Sequence, residues 1–296
     1  MKPARTDQDA RPKSDEAFRK RSTRKDNPNA AAPTHQRLRL TVAYDGAAYL
    51  GWQVQTQSPT AQEVLEAALA RVFPSAPRVV GSSRTDTGVH ARGMVVHLDV
   101  PRTEWRMLPE KLLLALNAHL PEALRITAAA YARPDFHARF DACGKQYRYF
   151  LWNHRALDPW VRRTAWHVTR PLDLGAMQAA TTALIGRHNF QSFASNPGYE
   201  RATYMREVTR CEIQRAGSLL TVVIEADGFL YKMCRGIVGT LVQVGLGKFT
   251  PAEIPPMLEG CDRRLAGMTA PAHGLVLWRV DYPTRRRPKK DSPNLP

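Results

Sequence analysis

The chain has 296 residues, with 43 Lys and Arg against 27 Asp and Glu and a formal net charge of +16. That length suits one large or two ordinary domains, and that charge points to a polyanionic partner, nucleic acid first, rather than a small neutral substrate. No apolar run reaches the roughly eighteen residues of a membrane span. The N-terminus lacks the apolar core of a signal peptide, and Cys143, Cys211, Cys234 and Cys261 have no C-x-x-C spacing, so reduced thiols in a cytoplasmic protein without structural zinc are expected.

Residues 1–36 are polar, charged and rich in Ala and Pro, and are expected to form a disordered basic tail. Residues 285–296 are a second such tail. Each carries a net +4, which leaves +8 for the globular part. "RLRLTVAYDG" alternates Leu38, Leu40, Val42 and Tyr44 on one face, as a half-buried strand does. In "SPTAQEVLEAALARVF", Thr60 and Glu63 form a T-x-x-E capping box ahead of a helix with Leu65, Ala68 and Leu69 on its apolar face. A strand ending at Val79–Val80 and another in "MVVHLDV" flank the loop "GSSRTDTGVHARG". "LPEKLLLALNAHLP" predicts a helix stopped before Pro121, and "LRITAAAYA" a strand.

The second half repeats this order. It has a strand from Gln146 to Trp152, a helix capped by Asp173 and closed by Gly186, and a hairpin turning at Gly217. An apolar helix over 229–245 and a last strand in "GLVLWRVDYP" complete it. The recurrence predicts an α+β protein with two ferredoxin-like halves, residues 37–140 and 141–284.

Three features carry chemistry. Asp86 is a lone carboxylate in a loop dense with Gly, hydroxyl and Arg. It is displayed for reaction, or it braces the turn through nearby backbone N–H groups. Arg235 lies on a helix apolar nearly all round, so its guanidinium needs an acceptor. Asp86 is one candidate; another acid, or solvent reached past apolar neighbours, are the alternatives. "KQYRYFLW" places Tyr147 and Tyr149 on one face and Arg148 and Phe150 on the other, which suits either base stacking or an aromatic core face. "GLGKF" lacks the upstream Gly and the hydroxyl of a phosphate loop, and no H-x-E with P-C-x-x-C exists for a zinc deaminase.

"YDGAAYLGWQ", "RTDTGVHARG", "LNAHLP", "FHARFDACGKQYRY", "FLYKMCRGIVG" and "APAHGLVLWRVDYP" occur in the order found in the tRNA pseudouridine synthase A (TruA) family. The resemblance spans about residues 37–283, all but the two ends. It implies a pseudouridine synthase fold, with two RRM-like α+β halves, largely antiparallel sheets and a catalytic cleft between them. It also implies isomerisation of uridine to pseudouridine at positions 38 to 40 of the tRNA anticodon stem-loop, by a homodimer without metal or cofactor. Carried over by motif, Asp86 resembles the catalytic aspartate and Arg84 the arginine two residues before it. Tyr147 resembles the tyrosine that stacks on the target base, Arg235 the arginine paired with the aspartate, and Leu275 the leucine lining the base pocket.

The chain departs from the family pattern in three places: Ser82–Ser83 where alanine-glycine is usual, Met94 for glutamine, and Asn189 for aspartate. None is a named site residue, and the expectation is that activity is kept. The competing reading is a silent RNA-binding or RNA-chaperone protein that kept the fold. Asp86 discriminates, since a silent relative has little use for a carboxylate beside Arg84 and Arg235.

Overall fold

The computed structural model describes residues 34–56, 59–196, 198 and 203–283. Both expected tails therefore lie almost wholly outside the described residues. The first strand, β1 (His35–Tyr44), starts two residues inside the span read as tail.

Among the described residues ten strands form one mixed, mostly antiparallel sheet. In chain order they are β1, β2 (Val80–Gly81), β3 (His90–Pro101), β4 (Leu124–Tyr131), β5 (Gly144–Asn153), β6 (Trp166–Val168), β7 (Gly186–Asn189), β8 (Met205–Ala216), β9 (Leu219–Ala226) and β10 (Leu275–Asp281). The spatial order is β4-β1-β3-β10-β5-β9-β8-β7, with β2 on β3 and β6 on β5. The two halves read from the sequence thus share one sheet. β10, last in the chain, lies between them: it runs parallel to β3 at Val276–His90 and antiparallel to β5, where Leu277 faces Tyr147. A Cβ on Gly93 would stand 2.5 Å from the Trp278 carbonyl oxygen, so this close pairing of β3 with β10 needs glycine.

The helices are α1 (Ala61–Val72), α2 (Pro109–His119), α3 (Leu174–Thr182), α4 (Met233–Gly245) and α5 (Ile254–Glu259). α1 begins at the expected capping box: the Thr60 side chain accepts from the Glu63 N–H, and the Glu63 carboxylate accepts from the Thr60 N–H at 3.0 Å. Its Leu65, Ala68 and Leu69 are buried. On α2, Leu112 and Leu116 enter the core. Asn117 clamps the helix to β4, its amide donating to the Ile126 carbonyl (2.9 Å) and accepting from the Ile126 N–H (2.8 Å). That satisfies both backbone groups of one residue on an edge strand.

α4 is buried nearly all round, as its composition requires. Cβ atoms on Gly236 and Gly239 would collide with the carbonyls of Phe193 and Met268, so the helix lies directly on neighbouring backbone. It starts at Met233, four residues later than its apolar pattern predicts, after Lys232 at φ 60. Residues 229–232 instead line a cavity, and a cavity wall is as apolar as a helix face. α3 stops at Thr182, short of Gly186, whose φ of 113 opens β7. The short strands β6 and β7 and the Pro-containing α5 were not expected; three to six residues leave too little periodicity to read.

Candidate active site

The loop 82–89 between β2 and β3 is fixed from several sides. The Ser82 N–H donates to the Val95 carbonyl (2.8 Å), and the Thr85 and Tyr44 hydroxyls share a hydrogen bond of 2.8 Å. The Thr85 carbonyl accepts from the Trp52 N–H (3.2 Å), and the Asp86 carbonyl from the Val89 N–H (3.1 Å). Gly51, at φ +90, lies against the loop, and a Cβ there would stand 2.7 Å from the Thr85 carbonyl oxygen. The loop is therefore a rigid mount for Asp86 rather than a tip free to move.

Asp86 faces a cavity of about 960 Å³. Its Oδ2 accepts from Nη1 of Arg235 at 2.8 Å. Among the described residues this is the carboxylate's one hydrogen-bond partner, which leaves Oδ1 available. Among the described residues no backbone N–H donates to its side chain, which counts against the reading of Asp86 as a turn brace. Arg235 needs an acceptor and among the described residues has two: besides Asp86, its Nε donates to the Ala270 carbonyl at 2.7 Å. Its side chain is 15% exposed and that of Asp86 24%. The carboxylate is thus the displayed partner and the guanidinium the anchored one.

Tyr147 is buried on β5 and lines the same cavity, its ring edge-on to Phe229 with centroids 4.9 Å apart. Burial pushes its phenol well above the ordinary range, so it is protonated. Leu275, the first residue of β10, is buried and lines the same cavity, and Arg84 stands exposed in its lining. All five residues singled out from the sequence line this one cavity. Tyr149, on the same face of β5, is core: it is fully buried, with its hydroxyl donating to the Pro271 carbonyl at 2.8 Å. On the other face the Arg148 guanidinium sits 3.9 Å from the Trp278 ring centroid. The strand is therefore partly site and partly core.

Sequence reasoning missed several lining residues, among them Trp52, Arg139, Phe140, Lys145 and Lys232. Lys145 stands two residues before Tyr147, so strand alternation could have found it. Its ammonium donates to the Ser82 carbonyl at 2.8 Å, tying β5 to the Asp86 loop, and burial lowers its pKa to about 8. The lining holds Arg84, Arg139, Lys145, Lys232 and Arg235 but, among the described residues, Asp86 as its only carboxylate. Such a cavity attracts a polyanion and presents Asp86 to it.

Of the departures from the family pattern, Ser82 and Ser83 line the cavity. Met94 is fully buried, and the Ser82 hydroxyl donates to its sulfur at 3.4 Å, so two of them pair with each other. Asn189 ends β7 and accepts from the Gln191 N–H at 3.0 Å. Among the described residues no group of three or more His, Cys, Asp or Glu could hold a metal ion. No helix there is long and apolar enough to cross a membrane.

A family model described as tRNA pseudouridine synthase matches residues 40–141 and 180–283. The tRNA pseudouridine synthase A of Methylacidiphilum infernorum is 42% identical over 245 residues, covering 83% of this chain and 95% of its own. That of Brevibacillus brevis is 44% identical over 251 residues, covering 83% of this chain and all of its own. The segments matched by the family model contain the Asp86 loop, α4 with Arg235, and β10. With more than half of its length matched by that model and such relatives aligned nearly end to end, the chain belongs to the tRNA pseudouridine synthase family and is an isomerase.

Proposed function

We propose that this protein isomerises uridine to pseudouridine in the anticodon stem-loop of tRNA, at positions 38 to 40, with Asp86 as the essential carboxylate. The observation that carries this reading is the cavity's one acid among the described residues, Asp86, held at 2.8 Å by an anchored arginine in a basic lining. The reaction breaks the bond from N1 to C1′, turns the uracil, and joins C5 to C1′. C5 loses a proton and N1 gains one, so neither water nor a redox partner is consumed.

Each residue has a part in this. Arg235 fixes Oδ2 of Asp86, and Oδ1 meets the ribose, either attacking C1′ or removing a ribose proton. Taking the uridine out of its stack costs a few kcal/mol. Stacking on Tyr147, worth roughly 1–3 kcal/mol, and packing on Leu275 offset that cost. Arg84, an exposed cation in the lining, meets phosphate. The homodimer and the cytoplasmic setting implied by the resemblance belong to the same proposal, and sedimentation of the purified protein tests the first of them.

The direct test is pseudouridine mapping of unmodified tRNA after incubation with the purified protein. New pseudouridine confined to positions 38 to 40 is the expected result. Tight tRNA binding with no pseudouridine anywhere favours the silent RNA-binding reading instead.

A further inference from the structure

The segment 133–143, leading into β5, supplies a wall of the cavity that the mechanism above does not use. Phe140 is 52% exposed, and it lines the same cavity as Asp86. A lone exposed apolar ring is ordinary; this one is distinguished by how it is held. It lies on the His137 imidazole, with centroids 4.3 Å apart and planes 34° apart. The His137 ring in turn lies 4.8 Å from that of His97, which is buried on β3.

The backbone beneath is tied down as well. Nδ1 of His137 accepts the N–H groups of Arg139 and Phe140 at 3.1 and 3.2 Å. The Asp141 carboxylate accepts the His137 N–H at 3.0 Å, and Nδ1 of His97 accepts the Ala138 N–H at 3.1 Å. The Arg139 guanidinium stands 5.4 Å from the Phe140 centroid. The result is a pre-ordered aromatic platform with a cation at its edge, facing a basic cavity. Little ordering cost remains when a flat ligand settles on it.

A flat aromatic surface beside a guanidinium fits a nucleobase with its phosphate better than an apolar peptide. At about 960 Å³ the cavity stands at the upper end for small-ligand pockets, so it has room beyond one base. We propose that Phe140 stacks the base of a nucleotide flanking the target uridine, while Arg139 holds that nucleotide's phosphate. The proposal rests on the reading of this cavity as the RNA site.

The test uses anticodon stem-loop RNAs with 2-aminopurine placed immediately 5′ or 3′ of the target uridine, each with a separate label to follow binding. Stacking quenches 2-aminopurine. The full-length protein is expected to quench one of the two RNAs. Phe140→Leu should weaken binding about 5- to 140-fold and leave the probe bright at saturation, with the thermal midpoint unchanged. Phe140→Trp should restore both quenching and affinity. Quenching that survives in Phe140→Leu overturns the stacking site, as does its absence from both RNAs while they bind and are isomerised; the proposed function then stands. A changed oligomeric mass in Phe140→Leu with unchanged fluorescence also overturns it, marking a protein contact. Failure of the unaltered protein to bind either RNA overturns the RNA reading itself, and the platform with it.

Discussion

Asp86 and Arg235 are 149 residues apart in the chain, yet a carboxylate oxygen of one receives a hydrogen bond of 2.8 Å from the guanidinium of the other. One comes from the loop before β3 and the other from the first turn of α4. β10, the last of the described strands in chain order, lies between β3 and β5 and so joins sheet segments that are distant in the chain.

Arg235→Lys should not preserve this arrangement. A lysine ammonium is a point donor and lacks the fork that reaches Asp86 and the Ala270 carbonyl together. Losing a hydrogen bond to a half-buried charge costs on the order of 1–3 kcal/mol. The expected outcome is a lower unfolding midpoint in denaturant and a fall in kcat larger than the rise in KM for tRNA. A variant with unaltered kcat would show that the arginine does not orient the carboxylate.

Tyr147→Phe and Tyr147→Leu should differ. Phenylalanine keeps a stacking surface and the edge contact with Phe229, whereas leucine keeps neither. Single-turnover rates at limiting tRNA should fall further for leucine, by the roughly 1–3 kcal/mol that base stacking is worth. If phenylalanine is as inactive as leucine, the phenol hydroxyl takes part in proton transfer and stacking is the smaller effect.

Acid should weaken the fold through His97. Burial, aided by the charge of Arg37, holds its imidazole down at about 4, while the unfolded chain takes up a proton near 6.5. Between these values the unfolded state binds more protons, so stability rises with pH and is lost as pH falls from 6.5 to 4. His137 and His273, both lowered by burial, act in the same sense. Asp99, held below its ordinary value by Arg37, loses its contribution only under that window. After allowance for solvent screening, the His97 effect is on the order of 2 kcal/mol. Thermal midpoints measured from pH 7 to 4.5 should fall more steeply for the unaltered protein than for His97→Gln. Parallel curves would mean that His97 is not held neutral.

Much of this was legible from local pattern. The Thr60 capping box, the alternation in β1 and the turn at Gly217 are short-range signals, and each stands where its residues place it. The need of Arg235 for an acceptor was readable too, because a cation on an apolar helix is a local contradiction. Which acid met it could not be settled by periodicity, since the partner comes from a loop on the far side of β10. Phe229–Lys232 read as helix because apolar spacing does not separate a cavity wall from a helix face. Phe140 and Lys145 went unassigned because their importance lies in a shared cavity, which appears only when β5 is laid beside the Asp86 loop.

Asp86 is proposed to perform the reaction while the surrounding cations hold the RNA. Asp86→Asn keeps the shape of the loop but can neither attack C1′ nor take a proton at neutral pH. The decisive measurement is pseudouridine formation at positions 38 to 40 by this variant, set beside its affinity for the same tRNA. No detectable pseudouridine is expected, with affinity within a few-fold of the unaltered protein. Pseudouridine formed at a rate near that of the unaltered protein would contradict it.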